Sequence, residues 1–287
     1  MNCIFSIDVE DWFHILDVPS APTISRWDSL PSRVERNFLR LLDILSEKKG
    51  KATCFFLGWV ADRFPNLVRE AVSRGHEVAS HGYGHELVFR MNPQAFFEDA
   101  IRSKEVIERA GGQRVLGFRA PGFSVTKDTP WFFDKLAEAG YAYDSSVFPA
   151  RHGHGGNPGA QLSTYMTAQS LLEFPISVQP ILGRPACFFG GGYLRLFPYS
   201  VIKRMAGKVS QEGRTVIFYI HPREIDPNHP RLRMDRMRRF QCYFNLSSTE
   251  IKLRRLLADF ETSTFREVLD AERNKTPFHA VRGEMVH

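Results

Sequence analysis

His81 and His85 lie four residues apart, just after a short apolar run at Val78 and Ala79. Neutral imidazole is the commonest protein ligand for divalent metals. If the chain turns helical at His81, this spacing stacks both rings on one face, about a turn apart. Two hydrogen-bonded surface histidines are the alternative. A second cluster, Asp8, Glu10 and Asp11, closes the run Cys3–Asp8 and precedes Trp12 and Phe13. Carboxylates that close together repel unless a cation or an arginine compensates them, or unless a loop simply turns them to water. Side chains two apart on an extended strand share a face, so Asp8 and Glu10 can reach one pocket. One acid with two imidazoles is a three-ligand set that leaves a position open, as catalytic zinc sites do. Arg119, Asp144 and His221 stand at the ends of other strand-like runs.

The elements that must position these groups alternate. Strands are predicted at 3–8, 52–57, around 78, 115–118, 141–143, 174–178 and 215–220. Between them, Val34, Phe38, Leu41, Leu42 and Leu45 form a helical stripe closed by Lys48, Lys49 and Gly50. Pro65 opens a helix that Gly75 stops. Asn92-Pro93 and Thr129-Pro130 are cap-plus-proline starts for two more helices. Further helices are expected over 198–211 and 249–260, with a short segment at 265–269. Strand–helix alternation of this kind predicts a parallel sheet, and about seven strands without a dinucleotide glycine fingerprint or a P-loop favour a barrel. The polar residues named above all follow predicted strand ends, the face where barrels build active sites.

Composition narrows the function further. The chain has 287 residues, is 43% hydrophobic and carries 24 phenylalanines, enough for a substantial core. Its net charge of +6 is spread out except at Arg231–Arg239. That run lacks aromatic interleaving and any recognition module, so it is expected to be a solvated face and no nucleic acid is expected as partner. The four cysteines are far apart, which favours a reducing compartment, and no run is long and apolar enough for a transmembrane segment, so a cytoplasmic protein is expected. His152 and His154, in a glycine-rich stretch, are expected to be surface loop histidines. Nothing in the sequence bears on oligomeric state.

The ordered motifs resemble those of the polysaccharide deacetylases, carbohydrate esterases that share the nodulation-protein-type deacetylase domain. Ser6-Ile7-Asp8-Val9-Glu10-Asp11 is similar to the first motif, His81-Gly82-Tyr83-Gly84-His85 to the ligand motif and Arg119-Ala120-Pro121-Gly122 to the arginine turn. Asp144-Ser145-Ser146 and Ile220-His221-Pro222 correspond to the last two. The resemblance covers roughly residues 2–224. It implies a distorted (β/α)7 barrel over 1–270, with 225–270 as a C-terminal extension and 271–287 as a flexible tail. It also implies Asp8 as catalytic base, Arg119 orienting it, His221 as general acid and Asp144 tuning that acid. The metal, zinc or else Co2+, Ni2+ or Fe2+, would be held by His81, His85 and Glu10, with Asp11 a rival because Val9 separates the acids that most members have adjacent.

Trp12, Pro121 and Tyr193 are expected to touch substrate, and Phe13, Trp59 and Phe123 are further candidates for sugar stacking or for the core. The glycines Gly190–Gly192 fit either a close approach to substrate or a plain tight turn. Asp-Val-Glu-Asp-Trp-Phe and His221-Pro222-Arg223-Glu224 are similar to a subgroup associated with bacterial exopolysaccharide and exosortase systems. The implied partner is an N-acetylated glycan or its precursor. Rival readings are an amidohydrolase of small cyclic or linear amides on the same fold, and a non-catalytic glycan-binding barrel.

Overall fold

In the computed structural model, which describes residues 1–275 other than His152 and Leu182, the wall of the fold is made of seven parallel strands. In chain order the strands are β1 (Asn2–Val9), β2 (Thr53–Phe56), β3 (Glu77–Ser80), β4 (Gly117–Phe118), β5 (Tyr143–Asp144), β6 (Tyr165–Met166), β7 (Leu172–Glu173), β8 (Val178–Ile181), β9 (Arg184–Cys187), β10 (Ile217–Ile220) and β11 (Glu261–Ser263). The order β10-β1-β2-β3-β4-β5-β7 is parallel throughout, with β6 antiparallel at its edge and β11 beside the start of β1. The sheet curls as a distorted α/β barrel. Between β7 and β10 a side chain spans the gap: the Ser177 hydroxyl donates to the Thr215 carbonyl and accepts from Ile217 N–H.

Side-chain parity decides what faces the inside. Cys3, Phe5, Ile7 and Val9 pack outward against helices, as do Cys54, Phe56, Val78, Phe118, Phe218 and Ile220. The alternating positions Ile4, Phe55, Ala79, Tyr143, Leu172, Ile217 and Tyr219 pack together inside. Continuing that parity past the strand ends carries Asp8, Glu10, His81, Arg119 and His221 onto the inner rim. Asp144, one residue after inward Tyr143, falls on the outer face.

Several elements escaped the periodic reading. The strand expected over 174–178 lies instead at β7, 172–173, and the β8–β9 hairpin on 178–187 has no counterpart among the expected strands. The basic run carries a helix, Arg236–Tyr243, capped by Asp235. The last helix, Phe265–Lys275, seats Phe265 against Phe55, Tyr143 and Phe174 and closes the barrel floor. Of the stretch 271–287 expected as a tail, 271–275 instead continue this helix, and 276–287 lie outside the described residues. Among the described residues no helix is long and apolar enough to cross a membrane.

Candidate active site

β1 delivers Asp8 and Glu10 to the rim, and the other groups gather on them. Glu10 Oε1 lies 3.1 Å from His81 Nε2, 3.0 Å from His85 Nε2 and 3.6 Å from His221 Nε2. Burial by itself would raise the Glu10 carboxyl, but the facing His85 and His221 hold it well below the usual carboxylate range. Asp8 Oδ1 accepts from Arg119 Nη1 at 2.7 Å, and its Oδ2 stands 3.9 Å from His221 Nε2. Asp8, Glu10, His81, His85 and His221 line a cavity of about 180 Å³ with Gly122, Phe123, Gly192, Tyr193 and Glu224.

Arg119 is fully buried in the barrel. Its guanidinium carbon lies 4.2 Å from the centre of the Phe55 ring, and Ser6 Oγ and the Ser145 carbonyl and hydroxyl take its other donors. A buried guanidinium is costly unless its donors are satisfied and its charge is paired; here both conditions hold. Its carbonyl also fixes His81. A carbonyl only accepts, so His81 Nδ1, 2.7 Å away, carries the ring proton, and in the neutral ring Nε2 turns a lone pair toward Glu10 Oε1. Two electron-rich atoms at 3.1 Å repel unless a proton or cation lies between them. One ligand atom each from Glu10, His81 and His85 lie within 4.8 Å of one another, a donor set that suits a divalent ion.

The histidine pair is not helical. Residues 81–87 form a loop in which Gly82 (φ +72°) and His85 (φ +56°) adopt left-handed backbone, and this reversal, rather than a helical turn, brings the rings together. A non-glycine residue held there costs about 1 kcal/mol and persists only when its surroundings over-determine it. They do: Asp99 accepts from Tyr83 N–H and Gly84 N–H, Ser103 Oγ donates to the Gly82 carbonyl, and Gly58 and Trp59 N–H donate to the Gly82 and Tyr83 carbonyls.

Asp11 is engaged elsewhere. Its carboxylate accepts from Trp12 N–H (2.8 Å), Ser32 Oγ (2.5 Å), Arg33 N–H (2.9 Å) and Val34 N–H (3.2 Å), so it ties the end of β1 to the start of the helix Val34–Glu47; the acid that meets the histidines is Glu10.

Asp144 is likewise not beside His221. It accepts from Ser146 N–H and Oγ and pairs with Glu173; burial raises the Asp144 carboxyl although its hydrogen bonds with Glu173 and Ser146 oppose this, and burial together with the neighbouring Asp144 charge raises Glu173 well above the ordinary range. The carboxylate against His221 is Glu224, which accepts from His221 N–H (3.0 Å) and lies 3.4 Å from its Nδ1. Burial favours neutral His221, yet Glu10 and Glu224 outweigh it and raise its pKa. Glu224 in turn pairs with Arg195 at 3.3 Å, and His221 and Arg195 lower it to about 2 despite its burial. Glycine makes this possible: a Cβ at Gly191 would lie 1.6 Å from Glu224 Oε2, and one at Gly190 2.3 Å from the Tyr219 ring. Glu224 had a legible signal, since an acid three residues after the residue preceding a turn is the capping-box spacing. Asp99 and Arg195 had none.

Of the residues expected at substrate, Tyr193 lines the cavity. Pro121 is buried beside it, and the lining residues of that turn are Gly122 and Phe123. Trp12 is in the core, its Nε1 donating to the Pro31 carbonyl and its ring against Phe13; Phe13 and Trp59 pack there too. His14 packs 5.8 Å from the His85 ring, and burial holds its pKa well below the usual histidine range. His154 is not a surface histidine: it is 8% exposed, donates to Asp17 at 2.5 Å and accepts from Arg238 at 3.1 Å. His152 lies outside the described residues.

Comparison with known proteins gives two family matches: Polysaccharide deacetylase over residues 21–143, and Domain of unknown function (DUF3473) over residues 145–270. The first contains His81, His85 and Arg119; the second contains His221 and Glu224; Asp8 and Glu10 precede both. One sheet runs through both matched segments. A peptidoglycan-N-acetylglucosamine deacetylase of Bacillus cereus is 32% identical over 82 residues, covering 29% of this chain and 30% of that protein, so the match spans less than a third of the relative's length. A structure from Mycobacterium smegmatis, provisionally named a polysaccharide deacetylase, superposes with a TM-score of 0.66 at 20% identity, over 98% of this chain and 94% of that one. The allantoinase Puue superposes at 0.59 and 14% identity, over 96% and 91%. At these identities the superpositions speak to the fold.

Proposed function

We propose, from the premise that this chain belongs to the polysaccharide deacetylase family, that it is a metal-dependent hydrolase removing acetyl groups from an N-acetylated sugar. The observation that carries the reading is the meeting of Glu10, His81 and His85 beside an arginine-held Asp8, with His221 facing them. Glu10, His81 and His85 would hold a divalent cation, which when bound supplies Lewis-acid polarisation of the acetamide carbonyl and a water of lowered pKa.

This chain's own residues do the rest. Asp8, aimed by its hydrogen bond from Arg119, takes the proton of the attacking water. His221, its ring held from the far side by Glu224, gives a proton to the departing sugar nitrogen, which would otherwise leave as a poor amide anion. Phe123 and Tyr193 border the space a sugar ring would fill, an apolar wall with polar edges. A bacterial exopolysaccharide or its precursor, handled in the cytoplasm, is the substrate this reading favours, and zinc the metal that its two imidazoles and one carboxylate favour.

The test is acetate release from N-acetylated oligosaccharides, chitooligosaccharides among them, with and without chelator, beside allantoin as a small ureide. Chelator-sensitive acetate release is expected. Turnover of allantoin alone would replace the reading with the amidohydrolase one, and sugar binding without acetate release would replace it with a glycan-binding barrel.

A further inference from the structure

Beside the site lies a second cavity of about 340 Å³ that its chemistry does not use. The two spaces share His154, Gly192, Tyr193, Arg238 and Gln241, so they are two parts of one groove. The outer part is floored by Phe240 and Phe244, both more than 40% exposed, with ring centres 4.6 Å apart, and it is rimmed by Arg151 and Arg238. It is a built space. Arg195, buried and paired with Glu224, also donates to the carbonyls of Gln241, Cys242 and Phe244, so the helix Arg236–Tyr243 is tied to the same group that holds His221.

Charge decides what the outer part would take. Arg238 Nη2 donates to the Leu16 carbonyl and to His154, while its buried Nε has no hydrogen-bond partner, and among the described residues no carboxylate forms an ion pair with Arg238 or Arg151. The acids nearby are already compensated: Asp17 by Arg90 and His154, Glu224 by Arg195 and His221, and Asp235 by capping Arg238 N–H. A half-buried guanidinium without a carboxylate partner, lining the same chamber as two exposed aromatic rings, is a receptor for a planar or tetrahedral anion carried on a ring that can stack.

We propose that this outer chamber binds the sugar unit next to the one deacetylated, and that Arg238, with Arg151, recognises an anionic substituent on it. The substrate would then be an acidic glycan rather than a neutral one. This deepens the deacetylase reading and rests on it. The anion could be a uronate carboxylate or a phosphodiester, which share the chemistry that a guanidinium reads.

The test compares three probes on the metal-loaded full chain: neutral chitotetraose, an oligosaccharide of alternating glucuronate and N-acetylglucosamine, and a phosphodiester-linked N-acetylglucosamine oligomer. The expected result is a tenfold or larger preference in kcat/KM for one anionic probe over the neutral one. Which probe gains names the source of the anion. Arg238→Gln should reduce that ratio to about one, through KM, and Arg151→Gln should reduce it less. Because Arg238 also binds the Leu16 carbonyl, the exposed Arg151→Gln variant carries the test if Arg238→Gln does not fold. Equal rates on neutral and anionic probes, or a preference intact in the folded variants, would overturn the proposal. Should no probe lose acetate, the deacetylase reading fails, whereas tighter equilibrium binding of an anionic than of the neutral probe, lost in the variants, still upholds the chamber.

Discussion

The two walls of the site are built differently. On one side Asp8, Glu10, His81 and Arg119 stand at the ends of adjacent parallel strands, and neighbouring strand ends and a latched loop position them. On the other side His221 leaves β10 and is held by a relay of buried charge, Glu224 then Arg195, within the segment that matches the domain of unknown function. Backbone pairing fixes positions cheaply and is indifferent to pH. A buried ion relay fixes them only while each charge keeps its partner, and loss of one partner leaves another charge buried and alone. The first wall, its buried Arg119–Asp8 pair excepted, should therefore fail through chemistry, and the second through both chemistry and stability.

Substitutions can separate the two. The largest effect is expected at Asp8→Asn, which should lower kcat by about 10³–10⁴-fold while bound metal, measured by elemental analysis, stays near one per chain; His221→Ala should cost about 10²–10³-fold. Metal loss in Asp8→Asn would show that the base and ligand roles are mixed. Gly191→Ala comes next. Its new Cβ would collide with the Glu224 carboxylate, so a loss of several kcal/mol in chemical denaturation and a drop in turnover should come together. Unchanged stability would mean that Glu224 can move without consequence.

Glu224→Gln should cost about 3 kcal/mol near neutral pH, from a carboxyl lowered from 4.5 to about 2. A depressed carboxyl gives stability that is fully present above its unfolded pKa and is lost as pH falls through the folded one. The gap between wild type and variant, followed by urea unfolding, should thus be widest above pH 5 and narrow steadily below about pH 4.5; a gap that ignores pH would assign it to packing. The smallest effect is expected at Asp99→Ala. Freeing the Tyr83 and Gly84 N–H groups should weaken metal affinity about tenfold, read by competition titration, with the fold retained.

Much of this architecture is legible in the order of the residues. The alternation of apolar runs and helical stripes is local, so the strands at 3–8, 52–57 and 215–220 can be read within a residue or two of where they lie. The hairpin at 178–187 cannot, because Pro180 and Pro185 and the exposed residues between them obscure its period. In the site, parity is decisive. Asp8, Glu10, His81 and His221 continue the inward alternation of their strands, whereas Asp144 follows an inward tyrosine and so faces away, which a count along β5 already implies.

The sequence by itself determined the strand-and-helix succession and the set of chemical groups placed at strand ends, because periodicity and capping act over a few residues. Only the tertiary structure decided among equals. Glu10 rather than Asp11 meets the histidines because four donors from residues 12 and 32–34 claim Asp11. Glu224 rather than Asp144 holds His221 because Gly191 leaves room for it. The histidines converge through left-handed backbone latched by Asp99, not through a helix. Each outcome is a competition for hydrogen-bond donors or space between segments far apart in the chain, and no local pattern records who wins it.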